Sequence, residues 1–294
     1  MLQSFQSFRR FRLCALICGV SALASAKASA DLIDLDLSLL PVQYRGAFVQ
    51  AERFWENRLI GFSGVIPRQI LGQLQNVRIT VTVDGVDGAG GILAFAGPNE
   101  VFTYETPYQN INVAQTAAMT FDEDDIDGLL AGGLLDEVVL HEMAHALGFG
   151  TLWSDNGFNN IAFANYDGTY AVRQYRKDNR QPLAQFVPVD QPQGGGSGGH
   201  WDANDSFFFN PNTFIGELMI PFLTDAPYVS NVTWASFADL GYKVKGINDK
   251  IAAPVPVIPG GGKIVPNPSV DAEDDDEEVQ SPSNNGLGGK TIGR

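Results

Sequence analysis

LLDEVVLHEMAHALGFG, residues 134–150, is the stretch on which the reading of this chain turns. Gly132-Gly133 precedes it as a break and Gly148 closes it, so Leu134 to Leu147 is predicted as one helix. His141 and His145 lie four residues apart, which at 3.6 residues per turn puts them about 40° apart on one face. Two imidazoles so placed can converge on a single ion, with zinc–nitrogen bonds of about 2.0–2.1 Å. Glu142 sits one residue on, beside such an ion but not aimed at it. From there it can take a proton from a water that zinc brings to a pKa of about 7. Val139, Leu140, Met143, Ala144 and Leu147 supply the apolar packing surface. The competing reading is an ordinary helix with two surface histidines. Scarcity weighs against it, because the whole chain holds only three His.

The third is His200, which follows the glycine run 194–199 and precedes Trp201. A hydrolytic zinc site takes three protein ligands and leaves the fourth position for water. His200 stands on an approach that can reach an ion from outside the helix, so it is the candidate third ligand. Asp155, Asp202 and Glu217 are its oxygen-ligand rivals.

Toward the N-terminus, Asp122–Leu130 reads as a short acidic helix capped by Asp122. Asn76–Asp84 alternates apolar and polar residues as a half-buried strand does. Ile92–Ala96 is a further strand, closed by Gly97-Pro98 and proposed as an open edge, Gln43–Leu59 an amphipathic helix, and Leu32–Leu40 a first strand. Toward the C-terminus a helix is expected near Gly168–Arg176. Another, capped by Ser230, runs to Leu240 with Gly241 as its stop. The layout is α+β.

The ends differ in kind. Residues 1–30 carry Arg9, Arg10 and Arg12, an apolar run from Leu13, and Ala28-Ser29-Ala30 as a cleavage site, which together read as a secretory signal. Its removal takes away Cys14 and Cys18, the only two cysteines, so the exported protein uses neither disulfide nor thiolate. Residues 251–294 turn to Pro, Gly and the acidic run 271–278, the composition of a solvated tail. The metal-binding domain is thus expected over residues 31–250. With 44% hydrophobic and 18% charged residues the 294-residue chain has the balance of a globular protein. A net charge of −15 argues against nucleic-acid binding. No stretch after the signal is long and apolar enough to span a bilayer.

HEMAHALGFG resembles the opening of the metzincin signature H-E-x-x-H-x-x-G, with Gly148 at the glycine that turns the chain. That signature next expects a histidine where this chain has Thr151. The leishmanolysin-like (M8-type) branch instead inserts a long segment before the third His, and Gly198-Gly199-His200-Trp201 looks like its arrival. Gly216-Glu217-Leu218-Met219 resembles the family's Met-turn, which implies Met219 packed beneath the metal. Residues 230–244, SNVTWASFADLGYKV, are similar to the closing segment of the domain, and Met119–Asp122 is similar to bacterial members. Two departures stand out: the exported chain has no Cys for a thiol-based latency, and Pro221 occupies the place of an oxyanion-binding Tyr found in some metzincins.

The resemblance implies a metzincin-like zincin with a twisted sheet, an active-site helix and an irregular C-terminal subdomain. It implies a secreted zinc metalloendopeptidase acting on protein or peptide substrates, with one Zn2+ on His141, His145 and His200 and Glu142 as general base. The alternative is a non-catalytic, zinc-stabilised surface or adhesion module on the same fold. Glu142 separates the two, because a purely structural site gains nothing from a carboxylate beside an open coordination position.

Overall fold

The computed structural model describes residues 31–62, 66, 71–74, 76–105, 110–160, 165–190, 198–203, 214–224 and 227–247, together with the strand backbone of 263–266, 278–280 and 290–291. The expected signal, residues 1–30, lies outside them, as does the greater part of the expected tail. The elements run β1 (Ile33–Asp36), α1 (Arg45–Glu56), β2 (Leu59–Phe62), β3 (Val77–Asp84), β4 (Ile92–Glu105), β5 (Asn110–Asp122), α2 (Ile126–Gly132) and α3 (Leu135–Ala146). After these come β6 (Asn159–Asn160), β7 (Asn165–Tyr166), α4 (Thr169–Asp178), β8 (Val187–Pro188), β9 (Phe222–Leu223), α5 (Asn231–Asp239) and β10 (Tyr242–Val244). Three short strands close the series: β11 (Lys263–Pro266), β12 (Glu278–Gln280) and β13 (Lys290–Thr291).

The fold is mixed α and β. Its main sheet has the order β1-β3-β5-β4, with β1, β3 and β5 parallel and β4 antiparallel to β5. β3 follows its sequence pattern, with Val77, Ile79 and Val81 buried and Arg78 exposed. β4 does not stop at Gly97-Pro98 as expected but continues to Glu105. The register shifts between Pro98 and Val101 accommodate the missing proline N–H within the strand. β5 has no counterpart in the sequence reading. Ile111–Gln115 is buried on both faces, whereas Thr116–Phe121 alternates, with Ala117, Met119 and Phe121 buried and Thr116, Ala118 and Thr120 half-buried, a period of two that the sequence reading misses.

Beyond β5, β4 pairs with β12 at Ile92–Phe95 and with β11 at Glu100–Thr103. The Ile92–Ala96 stretch, expected as an open edge, is therefore paired within the chain. β13 pairs with β9.

α2 begins at Ile126, after Asp125, and no side chain caps it. The expected cap, Asp122, serves elsewhere. Its carboxylate is fully buried at the end of β5 and accepts the backbone N–H groups of Val86, Asp87, Gly88 and Asp124, which fixes the turn between β3 and β4. α3 lies within one residue of its expected limits at each end. Of its residues only Asp136 and Leu140 are not buried, so it is a core helix with neighbours all round. α1 is one neighbour, and Trp55 Nε1 donates to Leu140 O at 3.2 Å. β4, β5 and α2 also pack against α3. α5 starts as expected: the Ser230 hydroxyl accepts from Thr233 N at 3.1 Å, and Gly241 follows at φ +95°.

Candidate metal centre

His141 and His145 project from α3 toward the same point, and His200 meets them there. The three Nε2 atoms form a triangle with edges of 2.9 Å (His145–His141), 3.0 Å (His141–His200) and 3.2 Å (His145–His200). All three residues are buried. The other ring nitrogen of His141 faces Leu218 O at 2.8 Å, and that of His145 faces Phe149 O at 2.8 Å. A carbonyl can only accept, so each of these Nδ1 atoms carries the proton. Their Nε2 atoms then present lone pairs to one another.

Lone pairs 2.9 Å apart in a buried site repel unless a cation lies between them. The donor set therefore fits a metal ion. Around tetrahedral zinc, ligand nitrogens at about 2.0–2.1 Å stand about 3.3 Å apart, close to the observed edges. Burial also depresses the imidazole pKa values. His145 falls to about 4, and His141 and His200 fall well below the usual value, with the neighbouring imidazoles adding to the effect. All three are neutral at pH 7, the form that ligates. Carbonyl acceptors behind ligating histidines fix tautomer and ring orientation.

Several contacts deliver His200. The chain after α3 passes Gly150, at φ +75°, so close to Gly199 that a Cβ on Gly150 would lie 2.4 Å from Gly199 O. Asp190 N donates to His200 O, Trp201 N to Met219 O, and Asp202 N to Pro188 O, each within 3.2 Å. Trp201 is fully buried, its ring stacked on Phe214 and packed against Phe149 and Trp153. Aromatic contacts of this kind add stability beyond simple burial. They anchor the residue next to the ligand.

The remaining candidates separate cleanly. Glu142 is buried on α3 between the two histidines, as its position in the sequence requires. Met219 is fully buried, and its backbone carbonyl receives Trp201 N. Thr151, at the position where the shorter signature has its histidine, donates its hydroxyl to His145 O at 2.8 Å. Asp155, Asp202 and Glu217 are absent from the histidine cluster. Asp155 is half-buried, and its main-chain carbonyl accepts from Asn112 Nδ2. Glu217 is buried away from solvent and spends its carboxylate on the 217–219 turn. Sequence reasoning missed the two carbonyls, Leu218 O and Phe149 O, because every residue carries one. Only the fold says which lies behind a histidine.

No protein-family model matches the chain. It is similar to leishmanolysin of Leishmania donovani, with 28% identity over 198 residues, 63% of this chain and 30% of that protein. It is likewise similar to leishmanolysin of Leishmania chagasi, with 28% identity over 190 residues, 60% of this chain and 29% of that one. The chain spans about three-tenths of the length of these relatives.

Proposed function

We propose that the chain is a secreted, zinc-dependent metalloendopeptidase of the leishmanolysin-like type, nearest its bacterial members. The observation that carries this reading is the convergence of three buried Nε2 atoms within 3.2 Å, with Glu142 beside two of their parent residues on the same helix. The similarity to leishmanolysin supports it independently. Zinc held by His141, His145 and His200 would supply Lewis acidity toward a scissile carbonyl and toward water. Glu142 takes the proton of the attacking water on a carboxylate oxygen and returns it to the amine nitrogen of the departing product. Leu218 O and Phe149 O hold His141 and His145 in the ligating tautomer throughout. Export follows from the signal-like residues 1–30. Among the described residues no helix is long and apolar enough to cross a membrane.

The test combines two variants with metal analysis. Glu142→Gln should keep one zinc per chain and the fold while casein hydrolysis drops by about 10²-fold or more, because an amide cannot accept the proton. His200→Ala should lower zinc content and hydrolysis together and leave α3 intact by circular dichroism. Near wild-type turnover in Glu142→Gln removes that residue from the chemistry. A wild type that holds zinc and cleaves nothing would be the zinc-stabilised adhesion module instead.

A further inference from the structure

Glu217 is a carboxylate with no solvent exposure, held among hydrogen-bond donors. One oxygen, Oε2, accepts the backbone N–H of Met219. The other, Oε1, accepts Ser230 N at 2.9 Å and the Thr233 hydroxyl. All of these can donate, so both oxygens act as acceptors, and these hydrogen bonds oppose the burial that pushes the carboxyl pKa up. Among the described residues no cation pairs with it. A tight turn needs no buried carboxyl group to form, and burying one is costly without compensating hydrogen bonds.

The turn itself shows the role. Met219 N–H and Leu218 C=O belong to one peptide group. Glu217 accepts from its nitrogen end, while its oxygen end accepts from His141 Nδ1 at 2.8 Å. A carboxylate on the N–H side polarises the amide and strengthens its carbonyl as an acceptor. The arrangement is a carboxylate–histidine pair with a peptide group in the middle, and it bears on the metal-facing nitrogen of His141. A second arm runs the other way. Thr233 Oγ1 donates to Glu217 and accepts Trp201 Nε1 at 2.8 Å, while Trp201 N donates to Met219 O at 2.9 Å. Trp201 is the residue next to His200.

We propose that Glu217 is the positioning residue of the metal centre, holding His141 through the Leu218–Met219 peptide group and His200 through Thr233 and Trp201. The inference rests on the reading that the three histidines hold zinc.

The test measures zinc affinity of the purified full chain by competition with a chromophoric chelator, and records the visible spectrum after cobalt substitution. Glu217→Gln removes the charge at nearly constant volume. Zinc affinity should fall roughly 10- to 100-fold, as for other residues that orient metal ligands, with a displaced cobalt band. Thr233→Val cuts only the second arm and should weaken zinc roughly ten-fold while circular dichroism stays at wild type. It decides the matter if Glu217→Gln does not fold. Variants that lose thermal stability but bind zinc within twofold of wild type, with an unshifted cobalt band, would make Glu217 a structural turn residue and overturn the proposal. A wild type that binds no zinc would overturn the metal reading beneath it, a distinguishable failure.

Discussion

Gly150 shows how tightly the segment that carries His200 is packed. Its φ of +75° disfavours any side chain, and a Cβ there would meet Gly199 O at 2.4 Å and Gly199 Cα at 2.9 Å, both backbone atoms that cannot swing aside. Gly157 has nearly the same φ, +72°, with nothing within 4 Å of a Cβ. The pair separates conformational strain from collision. Gly157→Ala should cost about 1–2 kcal/mol in chemical denaturation and leave zinc affinity unchanged. Gly150→Ala should cost more than about 2 kcal/mol and also weaken zinc, because the displaced segment carries His200. Equal zinc affinity in the two variants would show that the 199–201 segment does not depend on this approach.

Between elements, the buried polar side chains act as pins. The last residue of α5, Asp239, caps the first turn of α4: its carboxylate accepts Tyr170 N at 2.8 Å, Ala171 N at 3.0 Å and the Tyr166 hydroxyl at 3.1 Å. Burial pushes its pKa up to about 7, against the opposing effect of those hydrogen bonds. The folded pKa thus lies above the ordinary carboxylate value, and between about pH 4 and 7 the folded state binds the proton more tightly. The resulting stabilisation is complete below about pH 4 and is lost as pH rises through 7. A shift of about three units corresponds to an upper bound of about 4 kcal/mol. Asp239→Asn removes this titration, so the stability advantage of wild type over the variant should shrink steadily from pH 5 to pH 8 in urea titrations. A pH-independent difference would mean that Asp239 stays ionised throughout.

For the molecule as a whole, the sheet and the histidine cluster should survive loss of the C-terminal segment. A chain ending at residue 250 loses β11, β12 and β13 but keeps the β1-β3-β5-β4 order, α3 and all three histidines. Its melting temperature should stay within about 4 °C of the full chain, and its zinc content should be unchanged. Peptide hydrolysis should persist, since the three histidines and Glu142 all precede the segment removed. Loss of zinc or of hydrolysis on truncation would show that the segment forms part of the site.

α3, the Ser230 cap of α5 and the alternation of β3 could be read directly because each is local. An i, i+4 histidine pair, a hydroxyl three residues ahead of an N–H, and a period of two all repeat within one or two turns of chain. β5 was harder to read, because burial on both faces blurs the period over Ile111–Gln115 and the alternation is plain only from Thr116 to Phe121. Asp122 looked like a helix cap until the fold placed the N–H groups of residues 86–88 against it. The third member of the histidine cluster shows the divide most plainly. On sequence His200, Asp155, Asp202 and Glu217 could all reach an ion, since a carboxylate's task depends on which donors surround it. Folding surrounds Glu217 with the donors of a turn and brings Gly199 against Gly150, and so it is His200 that joins the two histidines of α3.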